Sequence, residues 1–81
     1  PARSVTAFPV RVLEPASGGP VRATLSIFSS NGRLLSVPFD GLLPVGEHQL
    51  RFDVSSLTGG KYFAVLRLDG VLESRGFEVL K

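Results

Sequence analysis

The stretch Leu57-Thr58-Gly59-Gly60-Lys61-Tyr62 contains the only tyrosine of this 81-residue chain, separated by one lysine from a pair of glycines. Apolar residues of both parities follow at the start of residues 61–69, as in a central strand that is covered on both faces. A tyrosine at the start of such a strand can donate a hydrogen bond back to the preceding crossover. Filling space in the core is an equally good interpretation of Tyr62.

The segments around this stretch alternate between apolar and polar residues with a period of two, which is typical of half-buried strands. Residues 21–27 give the clearest example, and residues 49–54 predict a second strand, with Leu50, Phe52 and Val54 on one face. Near the N-terminus we expect two short β-like pieces that are broken at Pro9. No segment has a convincing helical period.

Two dipeptides predict hairpin turns between these strands. Asn31-Gly32 favours a type I′ turn, because both residues tolerate a positive φ angle, and Asp69-Gly70 is a second hairpin signal. The first turn would lead into an edge strand over residues 33–39, where Pro38 lacks an N–H group. The second would lead into a final strand over residues 71–80.

Two further details concern the apolar residues that break the alternation. A β-bulge at Gly76 would return the residues on both sides of it to the core, namely Leu72, Phe77 and Val79. The connection over residues 40–47 is apolar, and we expect it to cover one end of the core through Leu42, Leu43 and Val45.

Together, these strands and turns predict an all-β protein, an immunoglobulin-like antiparallel β-sandwich of about seven strands with Greek-key connections. The length fits a single domain over residues 1–81. The chain contains no cysteine, so its stability must come from apolar packing, for which a hydrophobic content of 43% is sufficient. Because the chain also lacks methionine, we expect that it was excised from a longer protein.

The charged residues argue against several classes of function. The net charge of +2 is scattered along the chain, whereas a nucleic-acid interface usually has clustered cations. No apolar run reaches the roughly 20 residues of a transmembrane segment. His48 is the only histidine, and we expect an ordinary residue at the start of a strand. Asp40, Asp53 and Asp69 each neighbour a turn, and turn formation explains Asp40 and Asp69 better than calcium binding does.

We therefore expect no catalytic residues, no metal and no cofactor, and we expect that the protein is not an enzyme. A carbohydrate-binding surface would normally present an exposed aromatic platform. The chain has no tryptophan, and alternation exposes only Phe28 and, less clearly, Phe39.

With the turns placed, the chain resembles the C-terminal sorting domain of cargo proteins of the type IX secretion system. That family is close to the immunoglobulin-like domain of the flagellar hook-capping protein. The resemblance covers about two thirds of the chain and lies in the order and spacing of short segments. These segments are Leu25-Ser26-Ile27-Phe28, Asn31-Gly32-Arg33, Leu43-Pro44-Val45-Gly46-Glu47-His48, Leu50-Arg51-Phe52-Asp53, the Leu57, Gly60 and Tyr62 element, and Val79-Leu80-Lys81.

The resemblance implies a non-catalytic module that directs a fused N-terminal cargo domain across the outer membrane of a Gram-negative bacterium. Its partners would be the outer-membrane secretion machinery and a surface sortase. The module would pass through the periplasm to the cell surface or the medium. The implied recognition residues are Phe77, Glu78, Val79, Leu80 and Lys81. The residues expected to determine the fold are Gly32, Arg33, Gly46, Gly60, Tyr62 and Gly70.

Two alternatives stay open from the sequence. The chain fits an immunoglobulin-like spacer or accessory domain of an extracellular enzyme, and it also fits a carbohydrate-binding domain of such an enzyme. We expect the isolated domain to be a monomer, with a dimer through an exposed edge strand as the alternative.

Overall fold

The computed structural model describes residues 5–14 and 18–80, within which the chain forms six strands and no helix. The strands are β1 (Val5–Val12), β2 (Val21–Ser29), β3 (Leu34–Leu43), β4 (Gly46–Asp53), β5 (Gly60–Leu68) and β6 (Val71–Val79). β1 pairs with β4 in one antiparallel sheet, and the other four strands form a second antiparallel sheet in the order β3-β2-β5-β6. The all-β prediction is confirmed, and the described residues contain six strands rather than about seven.

The two sheets lie in a sandwich-like arrangement around one apolar core. Leu25 and Ile27 of β2 and Leu66 of β5 are the largest fully buried side chains. From the smaller sheet, Phe8 and Phe52 join the same cluster. Burying each large apolar side chain contributes about 1.5–3 kcal/mol. The alternation predicted for residues 21–27 and 49–54 is therefore confirmed.

Tyr62 has both roles that the sequence left open. Its side chain is only 7% exposed, and its hydroxyl donates a hydrogen bond to the carbonyl oxygen of Thr58 at 2.7 Å. The Oγ atom of Thr58 lies 3.2 Å from the same hydroxyl. This bond holds the start of β5 to the connection that brings the chain across from β4.

β5 is central in its sheet, but the prediction that it is covered on both faces is wrong. Tyr62, Ala64 and Leu66 point into the core, whereas Phe63 is 44% exposed on the opposite face. The physical reason is that the β1-β4 sheet covers only one face of the larger sheet, so the outer face is left to solvent.

The β5–β6 hairpin turns as the sequence predicts. Asp69 and Gly70 both have positive φ angles, 47° and 88°, and Leu68 pairs directly with Val71. Positive φ at both central positions is the requirement of a type I′ turn.

The β2–β3 hairpin differs from the predicted type I′ turn. Only Gly32 has a positive φ angle, 88°, and its N–H donates to the carbonyl of Ser29 at 3.0 Å. The Ser29 N–H donates to the carbonyl of Arg33, and the Arg33 N–H donates to the Ser29 hydroxyl at 3.2 Å. Ser29 thus closes a longer turn that ends on a left-handed glycine, and Asn31 keeps an ordinary φ angle.

The expected β-bulge at Gly76 is also absent. The pairing of β6 with β5 continues without a register shift from Val71 to Val79, so Phe77 and Val79 face the core while Leu72 is 60% exposed. The register shifts instead between β2 and β3, near Ile27. Burying Leu72 in the core is therefore not a strong enough driving force to bend β6.

Residues 40–47 do not form the expected apolar cover. β3 continues to Leu43, so that only Pro44 and Val45 link it to β4. Of the three predicted cover residues Leu43 is buried, whereas Leu42 and Val45 are exposed. Pairing with β2 satisfies the backbone of this segment, which a loop over the core would leave to side chains or water.

Asp40 accordingly lies within β3 and not at a turn. It is opposite Thr24, and its Oδ1 atom accepts hydrogen bonds from Arg22 at 2.5 Å and from Thr24 at 3.3 Å. Cross-strand partners therefore explain this carboxylate better than the Asp-Gly dipeptide does.

Pro9 does not break the first strand, contrary to the expectation of two short pieces. β1 pairs continuously with β4, and Pro9 lies opposite Gln49. A strand of a two-stranded sheet has one free edge, so the missing N–H of a proline is tolerated there.

Replacing Tyr62 with phenylalanine is expected to lower the free energy of unfolding by about 1–2 kcal/mol, because the partly buried Thr58 carbonyl loses its donor. Chemical denaturation followed by circular dichroism measures this change. The matched control is Thr58→Ala, which keeps the carbonyl acceptor and should cost less than Tyr62→Phe. Equal effects of the two substitutions would contradict the role given to the carbonyl bond.

Gly70→Ala is expected to destabilise the domain by about 1–2 kcal/mol, because an L-residue is strained in the left-handed region. The control is Gly76→Ala: φ is not positive there, and the added Cβ would meet the Phe63 ring at an ordinary 3.6 Å. This control should change stability by no more than about 0.5 kcal/mol. Thermal melts of both variants test the difference, and the reverse order would show that the turn geometry is wrong.

Candidate functional site

The candidate site is the terminal strand β6, which lies at one edge of the four-stranded sheet. Its pairing with β5 extends from Val71 opposite Leu68 to Val79 opposite Gly60. Its other edge is unpaired with any strand in the described residues. An unpaired edge offers backbone N–H and C=O groups to a further strand.

Two inward residues anchor the end of this strand. The Phe77 ring stacks on Tyr62, with centroids 5.7 Å apart and planes at 24°, and meets Phe52 of the other sheet edge-on at 5.5 Å. Val79 is 8% exposed within the core cluster. Aromatic pairs of this kind contribute about 0.5–1.5 kcal/mol each beyond their buried area. The end of β6 is thereby fixed to both sheets.

The alternate residues of the same segment point to solvent. Glu78 is exposed and lies opposite Lys61, and Leu80 is 77% exposed just beyond the strand. Lys81 lies outside the described residues. Of the five predicted recognition residues, the structure thus places Phe77 and Val79 mainly in the core and Glu78 and Leu80 on the surface.

The first half of β6 extends past the cover of the smaller sheet. Arg75 lies over the Phe8 ring, with Cζ 5.2 Å from the centroid. Glu73 and Val71 follow on the same face of the strand, and Val71 is 67% exposed. Beside them is an open groove of about 810 Å³ between β1 and β6. Its lining includes the apolar residues Val10, Val12 and Leu68.

The outer face of the large sheet carries an aromatic feature that alternation alone did not give. Phe63 lies opposite Gly76 on one side and Phe28 on the other. A Cβ built on Gly76 would be 3.6 Å from the Phe63 ring, so the ring covers the strand where the glycine has no side chain. Alternation along residues 61–69 does not predict this row, because the row depends on the register of β5 with both neighbouring strands. Phe39, which alternation had placed outward, packs against the core instead.

The other residues that the sequence singled out have local structural partners. His48 lies near the start of β4, as expected, and its Nε2 atom donates to the Pro44 carbonyl at 2.8 Å. Asp53 accepts a hydrogen bond from the Ser55 N–H at 2.8 Å, which stabilises the turn after β4. Gly46 and Gly60 begin β4 and β5. No group of three or more histidine or acidic side chains suited to a metal occurs in residues 5–14 and 18–80.

No protein family, curated protein or solved structure with which the chain was compared matches it. Over the part of the chain that the structure describes, there is no helix with the length and apolarity needed to cross a bilayer.

Proposed function

We propose that this chain is a non-catalytic C-terminal sorting module of a type IX secretion cargo protein, recognised through its terminal strand. The observation that carries the proposal is the position of β6. This strand is at a sheet edge, its inward residues Phe77 and Val79 are anchored in the core, and Glu78 and Leu80 are exposed beside them. A receptor could contact such an end without unfolding the domain.

The finer topology that we propose is an immunoglobulin-like Greek key. In support, the chain changes sheet between β1 and β2, between β3 and β4, and again between β4 and β5. The bond from the Tyr62 hydroxyl to the Thr58 carbonyl, at the last of these changes, has the form of the tyrosine corner of immunoglobulin-like sandwiches.

Recognition in this proposal follows from strand alternation. A protein that binds an edge strand gains main-chain hydrogen bonds, and it distinguishes sequences by the side chains that alternate along the strand. Here Glu78 and Leu80 supply a negative charge and an apolar contact on one face, and Lys81 would add a positive charge. The partners would be the outer-membrane secretion machinery and then a surface sortase, while the fused cargo precedes the module.

The proposal is tested by fusing residues 1–81 to a periplasm-targeted reporter in a bacterium that has this secretion system. We expect the reporter at the cell surface or in the medium, and we expect Leu80→Ser to reduce its export several-fold. Leu13→Ser is the matched control, because Leu13 is 73% exposed, close to the 77% of Leu80, but lies beyond β1. Immunoblots of periplasmic, surface and medium fractions give the export ratio.

Retention of a folded fusion in the periplasm would overturn the proposal. Equal export of the two leucine variants would exclude the terminal segment as the recognition element. Circular dichroism of each purified domain establishes that the variants are folded, which both exposed positions should allow.

A second candidate function, carbohydrate binding, is favoured by one observation. Phe28 and Phe63 lie side by side on the outer face of the sheet, and Gly76 leaves the edge of this row open. Flat aromatic surfaces pack against the apolar faces of sugar rings. If this function holds, the isolated domain will bind polysaccharide in affinity electrophoresis and Phe63→Ala will abolish the retardation, whereas Leu72→Ala will not.

A further inference from the structure

The free strand edges of the sandwich are not equally protected. β1 contains Pro9, and β3 contains Pro38 together with the register shift near Ile27. β4 contacts β3 next to their short connection. By contrast, β6 has no proline, and its register with β5 is unbroken. Prolines and bulges are common means of preventing edge-to-edge pairing, and β6 has neither, so it remains able to accept a strand.

The sequence of β6, Val71-Leu72-Glu73-Ser74-Arg75-Gly76-Phe77-Glu78-Val79, is complementary to itself in one antiparallel register. If Ser74 lies opposite Ser74 of a second copy, Glu73 lies opposite Arg75 of that copy and Arg75 lies opposite its Glu73. Directly opposed residues of an antiparallel pair lie on the same face, with Cβ atoms about 4.5–5.5 Å apart. The register therefore places two ion pairs around a two-fold axis.

The remaining pairs of this register also fit. Val71 lies opposite Phe77, which is half-buried, so the pairing would cover a valine that is now 67% exposed. On the outer face Leu72 lies opposite Gly76, which the Phe63 ring covers, so the leucine of the second copy would lie beside that ring. Centring the register on Glu73 or on Arg75 instead would oppose two like charges, which is destabilising.

We propose that two copies of this chain form a symmetric dimer through antiparallel β6–β6 pairing centred on Ser74. The four-stranded sheets then join into one continuous eight-stranded sheet. Inward-pointing charges usually deter an unrelated strand from adding to an edge. Glu73 has no ion pair with any residue that the structure describes, and Arg75 contacts the Phe8 ring. A second copy is the occupant that supplies the opposite charge at both positions.

The first test is a charge reversal followed by sedimentation velocity over a wide range of protein concentrations. The unmodified chain should reach twice the monomer mass. Glu73→Arg opposes two arginines at both sites and should raise the dimer dissociation constant at least about tenfold. Arg51→Glu reverses the charge of one exposed residue of β4 and should leave the dimer dissociation constant unchanged.

Two complementary experiments identify the register. The double variant Glu73→Arg with Arg75→Glu restores opposite charges and should dimerise again. A mixture of the two single variants, Glu73→Arg and Arg75→Glu, should form a heterodimer although each alone is monomeric. Thermal melts show whether Arg75→Glu still folds. Dimerisation of the double variant is then measured on its folded fraction.

A crosslink tests the two-fold axis itself. Because the chain contains no cysteine, Ser74→Cys introduces a single thiol, and oxidation should join two copies by a disulfide across the axis. Ser56→Cys, exposed in the connection after β4, is the control and should remain largely monomeric. A chain that stays monomeric at all concentrations overturns the proposal, as does a dimer that is unaffected by Glu73→Arg or fails to crosslink through Ser74→Cys.

Discussion

The hydrogen bond from the Tyr62 hydroxyl to the Thr58 carbonyl is the interaction on which the rest of the structure depends. It fixes the point at which the chain leaves the two-stranded sheet and enters the middle of the four-stranded one. The Tyr62 ring stacks on Phe77, which in turn meets Phe52 of the opposite sheet. The crossover, the central strand and the terminal strand are thus held by one aromatic cluster. The domain has no disulfide to take over this role.

The parts of the fold that the sequence predicted correctly are those governed by local rules. Alternation identified the inward residues of β2 and β4, and Asp69-Gly70 predicted a turn that needs two positive φ angles. The failures arose where pairing with a distant strand decided the outcome. β1 continues through Pro9 because β4 supplies its partners, and Asp40 lies in a strand because β2 does. The sequence next to either residue contains no sign of these partners.

The candidate site shows the same division. The placement of Phe77 and Val79 inside, with Glu78 and Leu80 outside, follows from period-two alternation once the expected bulge is removed. The row formed by Phe28, Phe63 and Gly76 does not, because it lies across three strands and depends on their register. Likewise, the complementarity of β6 with itself becomes meaningful only when β6 is known to lie at the edge of the sheet. The segment can therefore be predicted from the sequence, whereas the residues that surround it depend on the strand order and register.

The unequal separation of paired strands along the chain implies an order of assembly. β5 and β6 meet through a two-residue turn, whereas Phe8 of β1 must find Leu50 of β4 about forty residues away. Closing a short loop is fast, and contacts between distant residues form late and slow the overall rate. The C-terminal hairpin is thus able to form while the core face of β2 and β5 is still open. The β1–β4 pairing shares this late stage with the β2–β5 pairing, in which Ala23 must find Leu68, so a delay in either pairing controls when the molecule becomes fully folded.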